Sequence, residues 1–414
     1  MRASGSMRIA IHDYAGHPFV FHLSRQLARD GHTVRHFFFE GDPGPKGDFK
    51  RREDDPPAFD IEPVGISEPY RKGQLLKRRA QDIEYGRKAG ARIAAFRPDV
   101  VLSGNTPVEA QGHILRAARG AGAAFVFWMQ DFYSLAVRSI LGRKLMGAGA
   151  LAALWYERLE ASLLNRSDAV VVISEDFLSG LTELKVRNPI VEIIPNWGAL
   201  DDIPMRPKST AWAKAQGLAD KFVFLYSGTL GLKHDPLMLA ALADAFADDP
   251  EVRIVVAAAG AGADQLKMEL AQKPRPNLII KGLEPIEVLP DALGAADVMI
   301  ALLEPDAGRY SVPSKVLSYL CAGKPTLLSA PLENLSARML REAQAGRAVS
   351  AGDREAFLSA ARELRTSPEA CAVMGAAGHR FAEANFTMPE VSARFAALFE
   401  GVIADRPMAR RHAA

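Results

Sequence analysis

Two lysines sit where a sequence of this kind can hold a charged ligand. In "FLYSGTLGLKHDPLM", residues 224–238, a run of strand-forming residues ends in Ser227, Gly228 and Thr229, and Lys233 follows four residues later. Glycine lets backbone amides approach a ligand closely, and the lysine adds a mobile cation. Asp235 and Pro236 are then the expected N-cap and first residue of the next helix. In "SVPSKVLSYLCAGKP", residues 311–325, Tyr310, Ser311, Pro313 and Ser314 lead into an apolar helix with Lys315 in its first turn. Helix N-termini favour anions over cations, so a lysine there points to a negatively charged ligand. Two cations plus helix amides suit a diphosphate. For either lysine alone, a solvated loop position competes equally; it is the pair, in Gly-rich and Pro-Ser settings, that favours chemistry. Ser318 lies three residues beyond Lys315 and shares its helix face, where a hydroxyl near the ligand or a small packing residue would serve.

Three further strand ends carry candidates. Gly260 and Gly262 in "VVAAAGAGADQL" precede a helix, but Gln265 stands where a dinucleotide fingerprint needs its third glycine. This reads as a tight turn beside the ligand. At the first strand, "IHDYAGHPF" offers Gly16 for close backbone approach and His17 as a catalytic candidate beside His12 and Asp13, with helix capping as the alternative for His17. In "FVFWMQDFY", Gln130 and Asp131 could bind a sugar hydroxyl or orient an acceptor, with an N-cap role equally open for Asp131. The acidic pairs Asp54–Asp55, Asp201–Asp202 and Asp248–Asp249 fall in polar stretches and read as solvated, so no metal and no cofactor is expected. Hydrolase-elbow, zinc-protease and P-loop signatures are absent from the sequence.

The elements that must position these residues follow from periodicity. Short Val/Ile/Phe-rich runs alternate with amphipathic segments throughout the 414 residues, the pattern of parallel sheets covered by helices on both faces. That length implies more than one core. The expected division is an N-terminal domain over 1–203, joined by a C-terminal helix over 387–406 with Thr387 as its N-cap, and a second domain over 204–386. Residues 407–414 are expected to be a disordered tail. A net charge of +2 excludes bulk electrostatics as a partner signal, and no nucleic-acid partner is expected. Two cysteines suit a reducing cytoplasm, and the start of the chain has no apolar run of signal-peptide kind. Residues 42–60 read as an exposed loop. The basic segment "KGQLLKRRAQ" and the apolar "LMGAGALAALWYERL" are candidates for peripheral contact with an anionic membrane, the alternative being a solvated charge run and a core helix.

In order, "SDAVVVISEDF", "IIPNWGALDD", "YSGTLGLKH", "GAGADQL", "KGLEPIEVLPDALGAADVMIAL" and "VPSKVLSYLCAGKPTLLS" resemble glycosyltransferase family 4, the retaining GT-B enzymes of bacterial polysaccharide assembly. The resemblance implies two Rossmann-like doubly wound domains with a cleft between them, a nucleoside diphosphate sugar as donor and no metal. It implies a saccharide acceptor, possibly lipid-linked, and a place at the inner face of the cell membrane. It puts Lys233 and Lys315 on the diphosphate, Gly16 near the donor, and Gly260 and Gly262 beside the base. Family members often carry two glutamates eight positions apart, and here Tyr310 and Ser318 occupy those positions, with Glu304 or Asp306 as substitutes for the sugar contact. Two other readings stay open: a nucleotide-sugar-binding scaffold subunit, and a nucleotide-sugar epimerase of the same fold.

Overall fold

A computed structural model describes residues 5–41, 50–71, 74–135, 137–138, 146–231, 234–303, 310 and 314–406. Lys233, Glu304, Asp306, Ser311, Pro313 and the tail over 407–414 lie outside the described residues. The chain divides into two compact units, one of residues 1–196 with 388–414 and the other of residues 197–387.

The first unit runs β1 (Arg8–Asp13), α1 (Pro18–Arg29), β2 (Thr33–Phe39), β3 (Phe59–Val64), α2 (Leu75–Phe96), β4 (Val100–Gly104), α3 (Val108–Gly120), β5 (Ala124–Met129), α4 (Met146–Arg166), β6 (Ala169–Val172), α5 (Asp176–Glu183) and β7 (Val191–Ile193). Its seven strands are all parallel, in the order β3-β2-β1-β4-β5-β6-β7. The second unit runs α6 (Ala211–Ala215), β8 (Phe222–Thr229), α7 (Leu237–Ala245), β9 (Val252–Ala259), α8 (Ala261–Gln272), β10 (Leu278–Lys281), α9 (Leu289–Gly294), β11 (Val298–Leu302), α10 (Ser314–Cys321), β12 (Thr326–Ser329), α11 (Leu335–Glu342), β13 (Gly346–Val349), α12 (Arg354–Thr366) and α13 (Pro368–Asn385). Six parallel strands there take the order β10-β9-β8-β11-β12-β13. The last helix, α14 (Met388–Ala404), returns to the first unit.

Central strands such as β4, β5 and β11 are buried along their whole length, as a sheet covered on both faces requires. Both sheets reverse direction of growth once, at β1/β4 and at β8/β11. In open α/β sheets that switch point, at the carboxyl ends of the strands, is where a crevice forms. The fold therefore concentrates on the residues just after β1, β4, β8 and β11.

Helix α14 is fixed to the first unit through Phe395, edge-on to Trp128 with ring centroids 5.3 Å apart, and both rings are buried. Each such burial is worth about 1.5–3 kcal/mol. The Ser392 hydroxyl donates to Asp30 at 2.5 Å, and Arg394 donates to the Ile193 carbonyl at 2.6 Å. The expected cap does not form: the buried Thr387 hydroxyl finds no hydrogen-bond partner.

Other expectations need correction. Strand β3 begins at Phe59, inside the segment read as loop, and β7 was not foreseen. Both are edge strands, where Pro63 and the charges of Asp60 and Glu62 are tolerated because one side of the ladder is unpaired. Asp55 is not solvated: it is buried against Arg25, Nε donating at 2.6 Å, with the Arg52 amide on its other oxygen at 2.8 Å. Helix α7 starts at Leu237, so Asp235 and Pro236 precede it, and Asp235 holds a φ of +40°.

Candidate functional site

At the switch point of the second unit, the turn after β8 and the first turn of α10 come together. Lys315 extends over the Tyr226 ring, its Nζ 4.0 Å from the ring centroid. That nitrogen donates to the Tyr226 hydroxyl at 2.5 Å and to the Thr229 carbonyl at 3.3 Å. Tyr226 in turn donates to the same carbonyl at 2.8 Å. Gly228, at φ +117°, leaves room for the lysine stem; a Cβ there would stand 3.6 Å from Lys315 Cε. One turn further along α10, the buried Tyr319 hydroxyl accepts from the Ser227 amide at 3.2 Å and lies within donating distance of the Ser227 carbonyl at 3.1 Å and the Ile300 carbonyl at 3.2 Å. Tyr319 thereby ties the carboxyl ends of β8 and β11 to the helix that carries Lys315.

The turn after β9 presses on the same place. The Gly262 amide donates to the Leu230 carbonyl at 2.9 Å, and the Leu230 amide donates to Ala259 at 2.9 Å. A Cβ on Gly260 would lie 2.8 Å from the Leu230 carbonyl, and one on Gly262 would lie 2.8 Å from that of Gly231. Ser227, Gly228, Thr229, Gly260, Gly262 and Lys315 thus share one neighbourhood. Ser314 opens α10 and is exposed; Ser318 is half-buried on the same helix, and Tyr310 is half-buried ahead of it.

Burial makes the charge of Lys315 depend on what it meets. Burial pushes the Lys315 ammonium down to about 7, and burial also pushes the Tyr226 phenol up, so the phenol stays neutral and accepts. An anion brought to Nζ would restore the charge.

In the first unit, the switch point holds a polar cluster. Gly16, at φ +69°, closes a tight turn by donating to the Asp13 carbonyl at 3.1 Å. The buried Asp13 carboxylate accepts from the His17 amide and from Asn105 Nδ2 at 2.9 Å, and His17 Nδ1 lies 3.3 Å away. Burial works to raise this carboxyl, but the charge and hydrogen bonds of His17 outweigh it and hold it below the usual range. His17 is the N-cap residue of α1, its side chain 40% exposed and half-held by Asp13. Beneath it, His12 bonds Ser103 at 2.8 Å and Tyr85 at 2.7 Å, and burial pushes it down to about 4, a neutral ring.

Asp131 is exposed just beyond the end of β5. In the turn that follows, buried Glu160 of α4 accepts from the amides of Tyr133 at 2.9 Å and Ser134 at 3.0 Å and from the Ser134 hydroxyl. Burial pushes Glu160 up to about 7 against those bonds. Gln130 is engaged by Asn196, which donates to it at 2.6 Å.

Residues 16–197 match the model of the glycosyl transferase 4-like domain. That match covers the greater part of the first unit. A glycosyl transferase of Escherichia coli (strain K12) named for colanic acid biosynthesis, WcaI, is 26% identical over 220 residues, 51% of this chain and 53% of that protein. The chain thus spans about half the length of that curated relative. Sucrose-phosphate synthase from Thermosynechococcus elongatus superposes with a TM-score of 0.73 at 16% identity, covering 97% of this chain and all of that one. HepE of Anabaena, solved in complex with UDP, gives 0.68 at 16% identity, with 95% and 100% covered. These likenesses establish the GT-B fold.

Asn105, Glu160 and Tyr226 were not found by reading the sequence. Asn105 had a signal, since "SGNTP" ends β4 in the same way that "SGTLG" ends β8, and its φ of +52° is a conformation Asn tolerates. Glu160 and Tyr226 had none, one lying in mid-helix and the other within a buried strand.

The depressed Lys315 sets a pH expectation. Free protein loses this proton near pH 7, whereas a bound diphosphate raises the group again. Binding of UDP at pH 8 should therefore take up close to one proton, and affinity should fall as pH rises above 7. Calorimetry in two buffers of different ionisation heat measures the uptake; Lys315→Met should abolish it, and equal uptake in both proteins would dismiss the assignment.

Proposed function

We propose that the protein is a retaining glycosyltransferase that moves a hexose from a nucleoside diphosphate sugar to a hydroxyl of a saccharide acceptor. One observation carries this reading: the Lys315 ammonium group, held by Tyr226 and Thr229 at the glycine turns of the second sheet's switch point. In the transition state the anomeric carbon becomes cationic while the β-phosphate gains charge. Lys315 and the neighbouring backbone amides are suited to that charge, a role a metal would otherwise fill, and no metal or cofactor enters the proposed reaction. Lys233 is proposed as the second cation. Gly260 and Gly262 are proposed to border the base, and Gly16, Ser227, Gly228, Thr229, Tyr310, Ser311, Pro313, Ser314 and Ser318 to border the donor. His17 and Asp131 are proposed as catalytic residues, Asp131 to bind a sugar hydroxyl or orient the acceptor. Retention is proposed to proceed by same-face attack, the leaving phosphate helping to deprotonate the acceptor. The names of WcaI and HepE support the substrate class, one through colanic acid biosynthesis and the other through bound UDP.

A melting-temperature screen against UDP-, GDP- and ADP-sugars tests the donor, because ligand binding raises stability by mass action. Release of nucleoside diphosphate separates transfer from the scaffold alternative, which would give protection without release. An epimerase would convert the donor with no acceptor present.

The acceptor is proposed to be lipid-linked, in surface polysaccharide synthesis at the cytoplasmic face of the membrane. Among the described residues no helix is long and apolar enough to cross a bilayer. Leu76, at 87% exposure, lies in the first turn of α2 beside exposed Lys77 and Arg79, and Leu151, at 72%, projects from α4. Arg79 lies 5.1 Å over the Trp155 ring, which brings these two faces side by side. Exposed leucines beside cations suit an anionic lipid surface. Wild-type protein should float with phosphatidylglycerol vesicles and not with neutral ones, and a Leu76→Ser, Leu151→Ser variant should stay in the pellet fraction; unchanged flotation would remove this contact.

A further inference from the structure

The carboxyl ends of β1 and β4 lie side by side, Asp13 in register with Gly104, so Asp13 stands next to the first residue beyond β4, Asn105. Asp13 is 1% exposed, and its ion-pair partner among the described residues is His17. Although burial works to raise it, the carboxyl stays ionised through His17, and an ionised carboxylate only accepts hydrogen bonds. The groups around it must therefore turn donors toward it. His17 does so with its backbone amide and brings ring Nδ1 to 3.3 Å. Asn105 does so with Nδ2 at 2.9 Å, on a backbone held at φ +52°, the kind of costly conformation that gathers at working sites. The other histidines close enough to feel this charge, His12 and His36, bond to Ser103 and Tyr85 and to Ser24. Burial pushes them down to about 4 and about 3, so neither supplies a charge that competes with His17.

In a neutral imidazole one ring nitrogen carries the proton and the other accepts, and the partner of one decides the role of the other. With Nδ1 facing Asp13, the proton belongs on Nδ1 and Nε2 becomes the acceptor. Asn105 Nδ2 stands 3.4 Å from the same Nδ1 and favours the opposite tautomer, but a charged carboxylate at 3.3 Å outweighs a neutral amide at that distance. An amide that gives Nδ2 to the carboxylate likewise turns its oxygen away. We infer that Asp13 is a positioning residue, which sets His17 and Asn105 to present two acceptors, Nε2 and Oδ1, to neighbouring hydroxyls of a sugar rather than to a phosphate. The His17 side chain is 40% exposed and Asn105 is half-buried, so both reach solvent at the switch point. A phosphate would set its own oxygens against two acceptors with a buried negative charge behind them, which is repulsive. This rests on the glycosyltransferase reading for the role of His17, and its test uses the free protein.

Long-range proton–nitrogen NMR of protein labelled with nitrogen-15 histidine reads the tautomer, because a protonated and a bare ring nitrogen resonate far apart. Loss of one ring signal in His17→Gln assigns it among the nine histidines. At about pH 8.5, where an ordinary imidazole is neutral, wild-type His17 should carry its proton on Nδ1. In Asp13→Asn, whose amide can donate to Nδ1, the preference should reverse and the proton should move to Nε2. Added inorganic phosphate should leave the wild-type Nε2 signal in place. The inference is overturned if wild-type His17 holds its proton on Nε2, if Asp13→Asn keeps the wild-type tautomer, or if phosphate protonates Nε2. Should Asp13→Asn fail to fold, the wild-type spectrum and the phosphate titration still decide. No nucleotide sugar enters the measurement, so a protein with the proton on Nδ1 that never releases nucleoside diphosphate would sink the transferase reading and leave the role of Asp13 standing.

Discussion

Lys315→Met should lower kcat/KM for transfer by about 10²–10³ while leaving the protein folded. The ammonium is placed to meet charge that develops on the departing β-phosphate, and a preorganised donor of that kind is worth about 3–4 kcal/mol. Methionine keeps the apolar stem over Tyr226 and loses only the Nζ bonds to Tyr226 and the Thr229 carbonyl. Net loss for such a bond is about 1 kcal/mol, offset by removing a cation that burial disfavours. The melting temperature should therefore move by no more than about 2–4 °C. Loss of activity in proportion to loss of fold would refute the assignment. Lys315→Arg is a useful companion, since it keeps a cation over the Tyr226 ring but replaces the compact ammonium by a longer planar fork whose donors point elsewhere.

Gly260→Ala should damage both stability and nucleotide binding. Gly260 holds φ +117° and ψ 172°, a region open essentially to glycine alone, so any side chain costs about 1–3 kcal/mol in backbone strain. The added Cβ also meets the Leu230 carbonyl at 2.8 Å, an oxygen already fixed by the Gly262 amide. Backbone, unlike a flexible side chain, cannot step aside, so the turn that ends in Thr229 and Leu230 must shift. Melting should fall by about 5–10 °C, on the scale of 2–4 °C per kcal/mol for a unit of this size. UDP affinity should fall about ten-fold or more, because the carbonyl that receives Lys315 moves with the turn. Gly282→Ala is the control: nothing lies within 4 Å of its Cβ position, and both quantities should stay unchanged. Melting curves and calorimetric titration of the two variants decide the matter.

Much of the second site was legible before any coordinates. Strand ends announce themselves through Val/Ile runs that stop at glycine, and parallel topology sends all of those ends to one edge of a sheet. That is why Ser227, Gly228, Gly260 and Lys315 could be grouped from spacing alone. The first unit was less legible. Asp131 had equal claims as a cap and as an acceptor contact, and nothing nearby in the sequence announced that Glu160 of α4 takes the amides of the next turn from 26 and 27 residues away.

The sequence by itself determined the alternation of strand and helix, the two sheets with their switch points, and the glycines and lysine gathered at the second of them. These depend on local period and on short turns, which neighbouring residues encode. Only the tertiary structure decided what each polar group faces. Lys315 meets a tyrosine 89 residues away, Asp55 is buried by an arginine 30 residues away, and Glu109 is left with one unsatisfied oxygen. Such pairings cost chain entropy that distant parts of the core repay together, so no window of the sequence records them.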